Sequence, residues 1–276
     1  MMTTAIRAGT RAGLIELRQS FTGSALLGQL FWPLATLLAI VLLRGTPAMG
    51  TSLGPLVLPG AAGMFVAFGM LLIVQYLASD REDGTVLRAR ATPDGIRGYL
   101  VGKFVLVCLT VAAYLVILLV PGALLVGGLA PDPSGWFTFG WVLVLGLLAT
   151  GSLGASVGGL VRSSRGAGIL SLPVLGLIAI SGIFYPIAAL PGWLQATAQA
   201  FPVYWLGLGM RSALLPDAAA AVELGASWRP AETAAVLTAW ALAGLVLAPF
   251  VLRRMARHES GSRVAQRRAR LLERVG

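Results

Sequence analysis

Charge is scarce in this chain, and what is missing narrows its chemistry. Of 276 residues 12% are charged, against about 25% in an ordinary soluble domain. There is one histidine, His258, and one cysteine, Cys108. A single cysteine excludes an intrachain disulfide and a cysteine metal site. Cys108 lies inside an apolar run and reads as a small buried hydrophobe. The one histidine lies in the tail, which leaves no Ser–His pair and no histidine metal cluster to assemble. No Asp, Glu, Lys, Arg or His occurs in 104–129, 136–161, 167–187 or 233–252. A charge at the centre of a bilayer costs about 2.5–3.5 kcal/mol on insertion scales, so chains keep one there only for use. Its absence argues against a proton-driven secondary carrier and against an intramembrane enzyme. A phosphate loop is missing as well. Gly98 to Phe104 is one residue short between its glycines and puts Phe104 where Ser or Thr is required. No cofactor is expected on this chain, and any energy source must be a different one.

What is present is hydrocarbon. The chain is 57% hydrophobic, more than one core of this size can hide from water. Part of its solvent must be lipid. The formal charge of +10 sits between apolar runs and not in a separate basic domain, which favours anionic lipid over nucleic acid as its partner. The first apolar run, Ser24–Leu43, is too long for a signal-peptide core of roughly 7–15 residues. A bilayer core of roughly 30 Å takes about 20 apolar residues of helix. Six such spans are read: Ser24–Leu43, Leu56–Ala78, Val101–Leu129, Trp136–Val161, Ala167–Ile187 and Ala231–Leu252. Lipid-exposed backbone must satisfy its own hydrogen bonds, so these are helices. Barrel strands would alternate over about ten residues. Pro121 marks a place for the third span to break or tilt. With the N-terminus inside, 18 of the 21 basic residues lie in cytoplasmic segments and three (Arg44, Arg211, Arg229) outside. The positive-inside rule therefore puts both termini in the cytoplasm.

The organising stretch is Asp80 to Lys103, a polar run between two apolar spans. It reads as a cytoplasmic helical handle. Asp80, Glu82 and Asp83 are expected at a helix start, where negative charge suits the dipole. Arg88 and Arg90 follow a turn later, and Pro93 disfavours helix at Thr92. Ahead of the first span, Arg7, Arg11 and Arg18 fall in one helical arc beside Ile6, Leu14, Leu17 and Phe21. That pattern fits a helix lying at the membrane surface, or a plain positive lead-in. On the outer side, residues 188–206 are apolar but interrupted by Pro191, Gly192 and Pro202. They read as a re-entrant element, or as a surface helix anchored by Trp193, Tyr204 and Trp205. Gly151, Gly154 and Gly158, with Ser152, Ala155 and Ser156, are small faces for close helix packing. In the tail, 256–276, Arg263, Arg267, Arg270 and Arg274 share a face suited to anionic lipid or to anchoring the topology.

Two runs together resemble a known family. Arg81-Glu82-Asp83-Gly84-Thr85, then Thr92-Pro93 and Gly102-Lys103, resembles the loop after the second span of type-2 ABC transporter permeases. Gly182-Ile183-Phe184-Tyr185-Pro186, then Leu190-Pro191-Gly192-Trp193-Leu194 and Phe201-Pro202, is similar to their stretch around the fifth span. The likeness extends over about 5–255. It departs from the common pattern after Gly84-Thr85, where an acidic residue is frequent and this chain has Val86, Leu87 and Arg88.

The resemblance implies an all-α membrane protein. It has six transmembrane helices, an N-terminal interfacial helix, a coupling helix between spans two and three, and a re-entrant element between spans five and six. The whole chain would be one transmembrane domain, with a core at about 24–255. It implies no enzyme but a permease subunit in the cytoplasmic membrane, similar to bacterial multidrug or antibiotic-resistance exporters. A separate ATP-binding subunit, in two copies, would bind ATP and Mg and dock on the coupling helix. Arg81, Glu82, Asp83, Gly84, Thr85 and Arg88 would carry that coupling. A second permease chain would complete the transporter. Pro186, Pro191, Trp193 and Pro202 would shape the outer element. An apolar path suits an amphiphilic or hydrophobic cargo. A membrane scaffold without transport activity, or a secondary carrier, is the competing reading.

Overall fold

The computed structural model describes residues 2–48, 51–92, 95–129, 131–161 and 163–258. Pro93, Asp94, Arg162 and the basic tail residues Arg263, Arg267, Arg270 and Arg274 lie outside that set. Helix dominates throughout. In chain order the α-helices are α1 (Met2–Ser20), α2 (Ala25–Leu43), α3 (Leu53–Glu82), α4 (Thr85–Arg90), α5 (Gly95–Val126), α6 (Pro133–Gly158), α7 (Ser164–Ile180), α8 (Gly192–Ala200), α9 (Pro202–Leu214) and α10 (Pro230–His258). A two-residue antiparallel bridge, Pro47–Ala48 with Thr51–Ser52, joins α2 to α3.

Five helices, α2, α3, α5, α6 and α10, are long and apolar enough to cross a membrane. The fifth expected span is shorter than its apolar run. α7 has 17 residues, about 25 Å of helix. It stops at Ile180 because Gly182 turns the chain with φ +68, and Ser181, Ile183 and Ile187 fold back into the core. Prolines interrupt none of these helices: Pro33, Pro59, Pro121, Pro173 and Pro249 all lie inside one. Neighbouring helices can re-satisfy the backbone groups that a proline frees. α5 accordingly runs past Pro121 to Val126, where Gly127 and Gly128, both at positive φ, end it.

α3 is the axis of the bundle. In its most apolar stretch 72% of residues are buried, against 17% in α2 and 28% in α10. It packs on α2, α5, α6, α7 and α9. Small residues permit this crowding. A Cβ on Gly63 would lie 2.8 Å from the Gly207 nitrogen of α9, and one on Gly154 of α6 would lie 2.7 Å from the Met70 carbonyl oxygen of α3. The small face of α6 is thus spent inside the bundle. Its other edge takes α10, where the Ser152 and Ser156 hydroxyls point at the Ala241 and Gly244 carbonyls. Leu27, Leu42, Leu124, Val246 and Phe250 point away from the core and stay exposed, as side chains facing lipid would be.

Candidate functional site: a charged junction beneath the handle

The last turn of α3 reads Asp80-Arg81-Glu82, and each of these side chains goes to a different helix. The helix propagates out of the apolar span as far as Glu82, so these acids end α3 and do not begin the handle. That corrects the expectation from sequence. Extending an existing helix costs less than nucleating a new one, and each charge here has a task elsewhere.

Asp80 turns to α5. Its Oδ2 accepts from the Tyr99 hydroxyl at 2.7 Å and pairs with Lys103 Nζ at 2.9 Å. Lys103, the chain's one lysine, also donates to Glu16 Oε2 of α1 at 2.5 Å. Its side chain is 8% exposed, against 39% for Glu16. The rings of Tyr76 and Tyr99 lie within 5.4 and 5.7 Å of the ammonium. A buried ammonium is tolerable only when paired and hydrogen-bonded. Two carboxylates meet that need and so tie α1, α3 and α5 at one point.

Arg81 turns to α6. It is 4% exposed. Its guanidinium donates through Nη2 to the Gly159 carbonyl at 2.5 Å and through Nη1 to the Val161 carbonyl. The last carbonyls of a helix lack intrahelical donors and carry the negative end of its dipole. A cation placed there answers both.

Glu82 turns to α7. Its Oε1 accepts from the Ser164 backbone nitrogen at 3.0 Å, and its Oε2 from the Ser164 hydroxyl at 2.6 Å. Ser163 adds the side-chain cap, accepting from the Gly166 nitrogen at 3.2 Å. The carboxylate therefore does serve a helix N-terminus, but that of α7.

Beyond this junction the chain turns at Gly84, φ +75, a left-handed conformation that glycine adopts without strain. α4 follows, six residues long. Val86, 1% exposed, pins it to the core, while Asp83, Arg88 and Arg90 are exposed. Arg88 Nη2 donates to Thr85 Oγ1 at 3.0 Å. Of the six residues expected to carry coupling, Arg81 and Glu82 are thus turned inward. Asp83 and Arg88 face out, and Gly84 and Thr85 form the bend.

α1 is clamped against the start of α5 by two glycine pairs. A Cβ on Gly9 would lie 2.3 Å from the Gly98 oxygen, and one on Gly13 would lie 2.5 Å from the Gly102 oxygen. Gly98 and Gly102, which in sequence faintly imitate a phosphate loop, are a helix-packing face. Arg7, Arg11 and Arg18 are exposed, about half a turn from Gly9. Sequence reading missed this contact. The signal was present as two Gly-xxx-Gly spacings, one in each partner.

At the opposite end, Pro186 and Pro202 are buried while Pro191 and Trp193 are exposed. The chain here forms two helices of 9 and 13 residues, α8 and α9, broken at Phe201-Pro202. α9 is buried against α3, α6 and α10. It carries Arg211, whose Nε pairs with Glu223 Oε1 at 2.7 Å, with the two side chains 2% and 1% exposed. Arg211 Nη1 also donates to the Gly182 carbonyl at 3.2 Å. This buried pair was not foreseen. Nothing in the 12-residue spacing from Arg211 to Glu223 announces it.

Between α2, α3 and α7 opens a cavity of about 720 Å³, lined by Trp32, Ile40, Met64, Phe68, Ile178 and Phe184 among others. Its wall is almost wholly apolar. Among the described residues no three His, Cys, Asp or Glu side chains are placed to hold a metal ion.

A family model described as "ABC-2 family transporter protein" matches residues 47–251. No curated protein matches the chain.

Proposed function

The chain belongs to the ABC-2 family of transporter proteins, as a membrane-spanning permease, and from that premise we propose that it is the permease subunit of an ATP-driven exporter. The carrying observation is the handle. α4 is pinned by Val86 next to the junction and presents Asp83, Arg88 and Arg90 to solvent. A separate ATP-binding subunit docks there and delivers its work mechanically. α7 completes a set of six spans, and the excess of Arg and Lys places both termini and the handle on the cytoplasmic side. The arginine face of α1 then meets the headgroups of the inner leaflet. α8 and α9 form the outer, re-entrant element. Two permease chains and two ATP-binding chains make the transporter, by likeness to the family.

The cavity between α2, α3 and α7 supports an amphiphilic or hydrophobic cargo. Its lining offers apolar contact and almost no hydrogen-bond partners, a site that favours molecules poor in charge.

Co-purification from native membranes tests the reading. A P-loop ATPase is expected to accompany the wild-type chain. Arg88→Glu, at an exposed position, is expected to weaken that association while leaving folding intact. If no ATP-binding protein associates, the exporter reading is wrong. If the purified chain alone moves a lipophilic dye against its gradient under a proton gradient, a carrier replaces it.

A further inference from the structure

We propose that Asp80, Arg81 and Glu82 form the node through which handle displacement reaches the bundle, and that Glu82 is a positioning residue for α7 and not a contact for the ATP-binding partner. The inference rests on the exporter reading above and says how that work is distributed.

Three consecutive side chains reach four helices. Asp80 binds Lys103 and Tyr99 of α5 and, through Lys103, Glu16 of α1. Arg81 binds the carbonyls that follow α6. Glu82 binds the first residue of α7 by two hydrogen bonds. All three precede Gly84, the bend into α4. A push on α4 therefore meets α3 at the one turn where α1, α5, α6 and α7 are also fastened.

The fastenings differ in kind. α1 is held to α5 by glycine contacts along its length, and α6 to α3 and α10 by small faces. α7 has far less packing on its neighbours. Ile169, Leu172 and Leu175 are exposed, while Ala167, Val174 and Ile178 face the core. α7 also supplies one wall of the apolar cavity, through Leu175, Ile178 and Ala179. Apart from the packing of Ala167 on Val74 and Ala78, its oriented link to the turn that bears α4 is Glu82, through which α4 can move that wall. Ser163 still caps α7 when Glu82 is lost, so α7 can fold and yet be disconnected.

The geometry separates this role from docking. Docking residues are expected among the exposed side chains, whereas Glu82 is only partly exposed and both its carboxylate oxygens already accept from Ser164. Arg88 and Asp83 are exposed instead. Removing Glu82 should therefore leave the partner bound and hydrolysing ATP, with the motion of α7 lost.

Two measurements test this. In the purified chain alone, hydrogen exchange at the first turn of α7 should rise about tenfold or more in Glu82→Ala. That is the factor carried by one lost hydrogen bond to a charged group. Exchange in α4 should be unchanged. If the rise is absent, Glu82 does not hold α7 and the proposal fails without any partner being needed. In the complex with its ATP-binding subunit, spin labels on Leu172→Cys and Val116→Cys, in a Cys108→Ser background, should change separation between the ATP-trapped and nucleotide-free states. Glu82→Ala should abolish that change while partner binding and ATP hydrolysis stay within about twofold of wild type. Ser164→Ala should weaken it in the same direction, and the double variant should be no worse than Glu82→Ala, because the two act as one pair. If Glu82→Ala instead releases the partner while Ser164→Ala does not, Glu82 is a docking residue and the inference is overturned. If no ATP-binding subunit binds even the wild type, the exporter reading falls, and with it the transmission role.

Discussion

Replacing Arg211 with alanine should be among the most damaging single changes to the fold. Arg211 and Glu223 are almost fully buried and bonded at 2.7 Å. Arg211 also supplies the Gly182 carbonyl at 3.2 Å, just where α7 gives way to the turn that re-enters the core. Arg211→Ala leaves a buried carboxylate with no cation. Breaking such a pair from one side costs about 3–5 kcal/mol. Glu223→Gln keeps an acceptor of the same shape but leaves the buried guanidinium without its counter-charge, a cost of the same order, about 3–5 kcal/mol. The double replacement Arg211→Met with Glu223→Leu removes both charges and fills the space. It orphans only the Gly182 carbonyl, worth about 1–3 kcal/mol. The double variant should therefore be more stable than Arg211→Ala. Reversible unfolding in mixed detergent micelles, followed by tryptophan fluorescence, measures the ranking. The reasoning is refuted if the double replacement is as costly as Arg211→Met and Glu223→Leu added together. Additivity would mean that the two groups do not interact.

Two further outcomes follow from packing. Gly9→Ala puts a methyl 2.3 Å from the Gly98 oxygen, and overpacking of this kind costs about 1–3 kcal/mol. It should expose α1 to trypsin at Arg7, Arg11 and Arg18. Gly28→Ala, inside α2 and where a Cβ would meet nothing within 4 Å, should instead stabilise by about 0.5–1 kcal/mol. Ala39→Trp places an indole on the wall of the apolar cavity from an exposed position. It should leave the unfolding midpoint near wild type and stop ATP-dependent efflux of a lipophilic dye from membrane vesicles, while ATP hydrolysis continues.

The spans were legible because burial in lipid and burial in protein ask the same thing of a sequence: a long run without charge. α2, α3, α5, α6 and α10 follow those runs closely. α7 did not, because hydropathy cannot distinguish an apolar residue that continues a helix from one that leaves it. Ser181 to Ile187 are as apolar as the helix before them, and only Gly182 at positive φ and the Arg211 contact explain the turn. At the handle, the position of the charges was readable but their targets were not. Asp80, Arg81 and Glu82 look like one solvated acidic and basic cluster in sequence. Their partners lie on helices whose ends come near only after folding: Lys103 on α5, Gly159 after α6, Ser164 on α7. Position along a polar run is a local property, whereas the choice of partner is a tertiary one.

That difference bears on how work can cross the molecule. The middle of the bundle offers apolar contact and close glycine approaches, which resist compression and transmit displacement but carry little directional information. Oriented, charge-assisted bonds are concentrated near the helix ends: the junction at one end, and Arg211 with Glu223 at the other. α7 has a fastening of this kind at each extremity. Glu82 holds its start, and Arg211 holds the Gly182 carbonyl just past its finish. Its last turns, Leu175 to Ala179, line the cavity, Ala167 and Val174 face the core, and Ile169 and Leu172 face the surroundings. A helix fixed at both ends and lightly packed along its length moves by tilting about whichever end is held. A displacement entering at Glu82 should therefore swing α7 about its Arg211-bound end, moving Ile169 most and the cavity-lining Ala179 least. Spin labels on Ile169→Cys and Ala179→Cys, each paired with Val116→Cys, measure that gradient. The first pair should change separation on nucleotide trapping by more than the second. Equal changes at both would mean that α7 translates as a rigid wall, and would remove the Arg211 contact as its pivot.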